Sequence, residues 1–337
     1  MSSNSTIRSI PKIVWQEYSI IIVTIFIFAV AGIIAPRFIQ PANLLLILRQ
    51  SAIIGVIAMG MTYVIITGGI DLSAGHVVAS SGAVLMLLQS NPNVPLGVAI
   101  LACFAVATAI GLLNGVVITQ FRVPPFIVTL AIGIMARSAA LYLTGGTSIT
   151  GDRGDTIFRG IGTGTLFDII PIRIPAVETV LTLIPIPLLI WLFLALILGA
   201  ILKYTKYGTN VFAVGGNEIA SKYSGINVNR TKIIAYGLTG LCAGLSAILD
   251  LSRTVTIAVP NAGQMYEFEA ITAVVIGGTL LSGGRGKILN TFFGVVIIVA
   301  VPNLMVMLGI SVFLSGFIKG ALILTAVLLQ RREKANV

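Results

Sequence analysis

Ten uninterrupted apolar runs govern what this chain can fold into. They cover Tyr18–Ala35, Leu44–Ile66, Leu72–Leu88, Pro95–Thr119, Pro124–Leu143, Thr179–Leu202, Thr231–Leu251, Phe268–Leu281, Ile288–Leu308 and Ile310–Leu329. A helix that crosses a bilayer needs about 20 apolar residues, and most of these runs reach or approach that length. Only the eighth is clearly short. A membrane barrel would instead show strands of about ten residues with alternating polarity, which these continuous runs exclude. Of 337 residues, 57% are apolar and 9% charged, whereas a soluble domain carries about 25% charge. The sequence therefore predicts an all-α polytopic membrane protein, one transmembrane domain over residues 1–337 with about ten helices. It leaves no room for a soluble ATPase or kinase domain.

Sidedness follows from the basic residues. Lys and Arg total 21 against 11 acids, a net charge of +10. They are dispersed along the chain, which points to the positive-inside bias of membrane proteins rather than to nucleic-acid binding. With ten crossings and an inner N-terminus, Arg37, Arg49, Arg153, Arg159, Arg173 and Arg253 face outward. Arg137 and Lys319 fall within runs, and all other basic residues face inward, so both termini are expected in the cytoplasm. Ala29-Val30-Ala31 has the look of a signal cleavage site, but the run around it is long and further membrane segments follow. An uncleaved first helix is expected. Cys103 and Cys242 lie inside apolar runs and His76 is the sole histidine. Neither a disulfide framework nor a thiolate or histidine metal centre is indicated.

Two hydrophilic loops exceed ordinary connections: 144–178, expected outside, and 203–230, basic and expected inside. An internal echo joins two further segments. Thr67-Gly68-Gly69-Ile70-Asp71-Leu72-Ser73-Ala74-Gly75 matches Ile276-Gly277-Gly278-Thr279-Leu280-Leu281-Ser282-Gly283-Gly284 at a spacing of 209 residues. Ten crossings put both segments on one side; a re-entrant segment would make the repeat inverted. The glycine pair Gly68-Gly69 ends an apolar run, and each glycine weakens a helix by about 1 kcal/mol relative to alanine. Asp71 would cost about 2.5–3.5 kcal/mol at the centre of a membrane helix. It is expected near an interface, or capping the next helix through its carboxylate. In the basic loop, Val214–Ile226 reads as a short bounded helix. Asn217 is its N-cap, Glu218 complements the positive end, Lys222 lies near the negative end, and Gly225 is the stop. A helix of two turns is marginal alone, so it is expected to dock on a partner.

These two segments resemble motifs of the permease subunits of ribose-type ABC importers. So do Asn114-Gly115, the stretch Arg122-Val123-Pro124-Pro125-Phe126-Ile127-Val128-Thr129-Leu130, and the region from Tyr266 to Gly286. The resemblance runs from about residue 40 to 330. It implies a membrane dimer, or a pair with a homologue, served by two cytoplasmic ATPase subunits and an extracytoplasmic sugar-binding protein in a bacterial inner membrane. It also implies a coupling helix carried by Gly215, Gly216, Asn217, Glu218, Ala220, Lys222 and Gly225. The candidate pathway and gating residues are Gly68, Gly69, Asp71, Ser73, Asn114, Phe126, Gly277, Gly278 and Ser282. No catalytic residue, metal or cofactor is assigned to this chain, and ATP with magnesium would sit on the partner subunits. One departure stands out. The family pattern has Glu-Ala-Ala directly before a basic residue, whereas here Ile219-Ala220-Ser221 precedes Lys222 and the acid is Glu218.

The expected cargo is a pentose or hexose. A sugar-like signalling molecule, a nucleoside or a branched-chain amino acid would suit the same machinery. A stand-alone secondary transporter would need ion-binding carboxylates near the midplane, but Asp71, Asp250, Glu267 and Glu269 map to segment ends. Arg137 either lines a dimer cavity or snorkels.

Overall fold

A computed structural model describes residues 4–152, 154–169, 182, 184–311, 314, 316–318, 320–321 and 324–325, with side chains from residue 19 onward. Lys319, Arg173, Glu178, most of the tenth apolar run and the C-terminal tail lie outside the described residues. So does the greater part of the second half of loop 144–178.

The helices in chain order are α1 (Asn4–Ile34), α2 (Pro41–Ile66), α3 (Ala74–Gln89), α4 (Leu96–Phe121) and α5 (Pro125–Thr144). Strand β1 (Ser148–Thr150) and helices α6 (Thr156–Thr163) and α7 (Leu166–Ile169) follow. Then come α8 (Ile186–Tyr204), α9 (Lys206–Gly216), α10 (Glu218–Tyr223), α11 (Val228–Thr254), β2 (Thr256–Ala258), α12 (Tyr266–Ile276) and α13 (Ile288–Met307). Among the described residues, six helices are long and apolar enough to cross a membrane: α2, α4, α5, α8, α11 and α13. The expectation of a mostly helical membrane protein stands on these. The count of ten is not reached among them: α3 has 16 residues, the eighth apolar run yields only the 11-residue α12, the first run counts only as the shorter apolar helix Ser19–Ile34, and most of the tenth lies outside the described residues. Nor is the protein wholly helical: β1 and β2 pair antiparallel, Ser148 opposite Ala258.

Helix α2 is apolar on every side and therefore central. It packs against α11, α13, α12 and α8. Gly55 lets the Trp191 indole lie directly on its backbone, and that ring stacks on Phe292 at 4.0 Å. At the start of α2, Asn43 and Asn303 exchange amide hydrogen bonds of 3.0 and 2.8 Å, tying α2 to α13. Helices α4 and α11 make the most extensive contact in the molecule, through small residues that let backbones approach, as in other membrane helix pairs. A Cβ on Gly111 would overlap the Tyr236 carbonyl, one on Gly115 would lie 2.6 Å from the Ile233 Cα, and one on Gly240 would overlap the Ala107 carbonyl.

Loop 144–178 is anchored rather than merely hydrophilic. Asp155 caps α6 by accepting from the Phe158 amide at 2.9 Å, Phe158 is fully buried, and Arg49 donates to the Thr163 carbonyl at 2.8 Å.

Candidate functional site

Three helix stops of one kind organise the site. In a Schellman stop, the residue after the cap is left-handed, and two amides turn back onto the last carbonyls. Gly68, Gly225 and Gly278 hold those positions with φ of 79°, 82° and 81°. At the end of α2, Gly68 donates to Ile65 and Gly69 to Val64, both at 2.9 Å. At the end of α12, Gly278 donates to Val275 at 2.9 Å and Thr279 to Val274 at 3.2 Å. The two stops coincide at a spacing of 210 residues. The sequence echo, at 209, is thus out of register by one: Gly68 corresponds to Gly278, not Gly277. Gly277 has another task, because a Cβ there would press on the Asn290 backbone of α13 at 2.8 Å.

The two segments meet. The Gly284 amide donates to the Ile66 carbonyl at 2.9 Å, satisfying one of the acceptors that the last turn of α2 leaves open. Gly215 packs against the same carbonyl so closely that any Cβ would overlap it, and a Cβ on Gly283 would lie 2.9 Å from it. Ser282, on this turn, is exposed. The basic loop therefore joins the ends of α2 and α12 in one backbone-on-backbone junction.

Beyond it, the expected single helix over Val214–Ile226 divides in two. Gly215 and Gly216 close α9, Asn217 breaks the chain, and α10 runs from Glu218 to Tyr223. The extended conformation of Asn217 lets its side chain accept from the Ala220 amide at 2.9 Å. Gly225 donates to Lys222 at 3.1 Å and Ile226 to Ser221 at 3.0 Å, so both expected caps are formed. Glu218 pairs with Lys232 at 2.6 Å, which pins α10 to the start of α11. Ser221 faces inward, whereas Ile219 and Tyr223 are 70% and 88% exposed. Beneath, Tyr207 of α9 stacks on Tyr63 at 6.0 Å. Burial raises the Tyr207 phenol above its usual range, so it stays protonated and donates to the Thr231 carbonyl at 3.2 Å.

The chain between Gly69 and Ser73 is unwound and buried. A Cβ on Gly69 would overlap the Tyr236 hydroxyl, which itself donates to the Ile70 carbonyl at 3.4 Å. Asp71 is 1% exposed, and it does not cap α3, whose N-cap is Ser73. Its Oδ1 accepts the Ser73 amide at 2.8 Å and the Ser73 hydroxyl at 2.6 Å, a local turn that satisfies the carboxylate in place of water. Asn114 of α4 donates to the Ser73 hydroxyl at 2.8 Å, and Thr129 of α5 accepts the Leu72 amide at 3.0 Å. Of the nominated pathway residues, Gly68, Gly69, Asp71, Ser73 and Asn114 are thus brought together. Phe126 is not: it is 51% exposed on the outside of α5, where Thr129 makes the contact instead.

Helices α3 and α12 begin beside each other, Gly75 touching Gly263 and the Glu267 carboxylate. Glu267 is buried there and Glu269 is not, so the two carboxylates part. Arg137 bridges this meeting point. It donates to the carbonyls of Ala262 at 2.7 Å and Pro260 at 3.1 Å and to His76 Nδ1 at 3.2 Å. Its side chain is a tie between α5, α3 and the turn before α12, not a snorkelling cation.

The chain matches, over residues 43–327, the family described as the permease component of the branched-chain amino acid transport system. It is similar to the ribose import permease RbsC of Bacillus subtilis, with 40% identity covering 91% of this chain and 90% of that one. It is similar to RbsC of Escherichia coli K12, with 35% identity covering 95% of each. The D-allose permease AlsC of the same organism is 30% identical, covering 94% of this chain and 92% of its own. No solved structure matches at a significant level. The chain belongs to the permease family of ribose-type ABC importers.

Proposed function

We propose that this chain is the membrane subunit of an ATP-driven monosaccharide importer of a bacterial inner membrane, working as a dimer of identical or homologous chains. The observation that carries the reading is the union of exposed α10 with the glycine junction. A short helix presents Ile219 and Tyr223 outward, while its own loop is locked to the ends of α2 and α12 through Gly215, Ile66 and Gly284. A cytoplasmic ATPase that grips α10 would move those helix ends directly. The positive-inside bias puts this end in the cytoplasm. ATP and magnesium would be bound by the ATPase subunits, and this chain supplies only the lever and the pathway. A sugar-loaded binding protein would be received at the opposite end, beside β1–β2 and α6. Ribose and allose in the names of relatives favour a pentose or hexose cargo. A branched-chain amino acid is a second reading, favoured by the family description. Uptake of labelled D-ribose, D-xylose, D-allose and L-leucine by proteoliposomes holding the complete transporter tests the choice. ATP-dependent accumulation of a sugar supports the proposal, and accumulation of leucine alone overturns its cargo.

A further inference from the structure

Midway along α2, toward the end away from the glycine junction, lies a cavity of about 220 Å³. Gln50 marks its depth, 16 residues before Ile66 and so about 24 Å along the helix. Gln50 and Ile54 come from α2, Asp250 and Arg253 from the last turns of α11, Glu269 from the first turn of α12, and Pro302 from α13. The Tyr266 phenol, also on the wall, donates to Asp250 Oδ2 at 3.0 Å and holds that carboxylate in place. The cavity falls below the roughly 300–1,000 Å³ of sites for drug-sized ligands, so its occupant is smaller. Two carboxylates against one guanidinium disfavour an anion. Three walls offer hydrogen-bonding groups: an amide, carboxylate acceptors and a guanidinium donor. The remaining surface is aliphatic. A ring of hydroxyls with a C–H face needs polar groups spread in this way, whereas an amino acid concentrates its charge at one end.

We propose that this cavity is a monosaccharide site, with Gln50, Asp250, Arg253 and Glu269 taking the hydroxyls and Ile54 and Pro302 the sugar face. It rests on the importer reading above and adds where the sugar pauses after leaving the binding protein. The test uses the complete transporter in proteoliposomes. A Gln50→Cys variant is labelled with a small methanethiosulfonate reagent; the native Cys103 and Cys242 are buried and give little background. The sugar that the wild type imports should slow this labelling several-fold, and L-leucine should not. Asp250→Asn and Glu269→Gln should each lower sugar uptake about tenfold, the loss expected when a hydrogen bond to a charged group is weakened. ATPase stimulation by the loaded binding protein should stay near the wild-type level, which a merely misfolded variant would not manage. Labelling indifferent to the imported sugar, protection by leucine instead, or unimpaired uptake in both variants overturns the site. A wild type that imports none of the three sugars overturns the monosaccharide reading on which the site rests, a result read before any variant is made.

Discussion

The Gly284 amide donates to the Ile66 carbonyl at 2.9 Å, so two segments more than 200 residues apart close on one helix end. Because Gly215 lies on the same carbonyl, the junction tolerates no side chain at that position. The basic loop and the end of α2 therefore meet backbone on backbone, with no side chain between them.

Gly215→Ala forces a methyl group into the Ile66 carbonyl and should destabilise the protein by about 1–3 kcal/mol, the usual cost of overpacking. Its neighbour Gly216 has nothing within reach of an added Cβ, so Gly216→Ala should leave stability unchanged or slightly raised. Thermal unfolding of the two variants in one detergent separates them; equal melting temperatures would argue against the junction.

Glu218→Arg removes the ion pair with Lys232 and sets two cations together. Glu218 is largely exposed, and exposed pairs contribute about 0–1 kcal/mol, so stability should barely change. Stimulated ATPase activity and sugar uptake should nevertheless fall steeply, because α10 loses its tie to α11. Normal uptake in this variant would show that α10 is not the coupling element. Gly225→Ala should act in the same direction, since a non-glycine residue in the left-handed region costs about 1–2 kcal/mol.

Gly69→Ala sets a methyl against the Tyr236 hydroxyl. Tyr236→Phe removes that oxygen, so the double variant should be more stable than the sum of the single changes predicts, by about 0.5–3 kcal/mol for residues in contact. Additive melting shifts would place the strain at Gly69 elsewhere.

Ser73→Ala deprives Asp71 of its hydroxyl donor and Asn114 of its acceptor, all three being buried. Leaving buried polar groups unmatched costs about 1–3 kcal/mol each. Ser73→Thr keeps the hydroxyl and should retain more of the stability. A Ser73→Ala protein as stable as the wild type would mean that the Asp71 turn does not hold the unwound segment.

The membrane class, the positions of six spans and the caps of α10 were legible in the sequence because each depends on local composition or on spacing within a few residues. Asn217 and Gly225 announce their roles by residue type alone. The echo was visible too, but its register was misread. Counting identities favoured glycine over glycine, whereas the helix stop is fixed by which residue adopts a positive φ, and Thr67 takes the place of Gly277 there. The turn that holds Asp71 was less legible: the sequence shows the cost of a charge among apolar runs, but not that Ser73 supplies two local donors to it. Tyr236 gave no signal, and the partners of Arg137 and Thr129 could not be read, since they lie on distant helices and only the packed bundle brings them together. Phe126 was nominated by motif membership, yet its neighbour on the inward face, Thr129, makes the contact.

The central claim is that this chain has no power source of its own and is driven through α10. The direct measurement is sugar accumulation in proteoliposomes with and without the ATPase subunits. Accumulation against a gradient should appear only when the ATPase, ATP and the binding protein are all present, and should disappear with Glu218→Arg. Accumulation by this chain alone, driven by an ion gradient, would contradict the account.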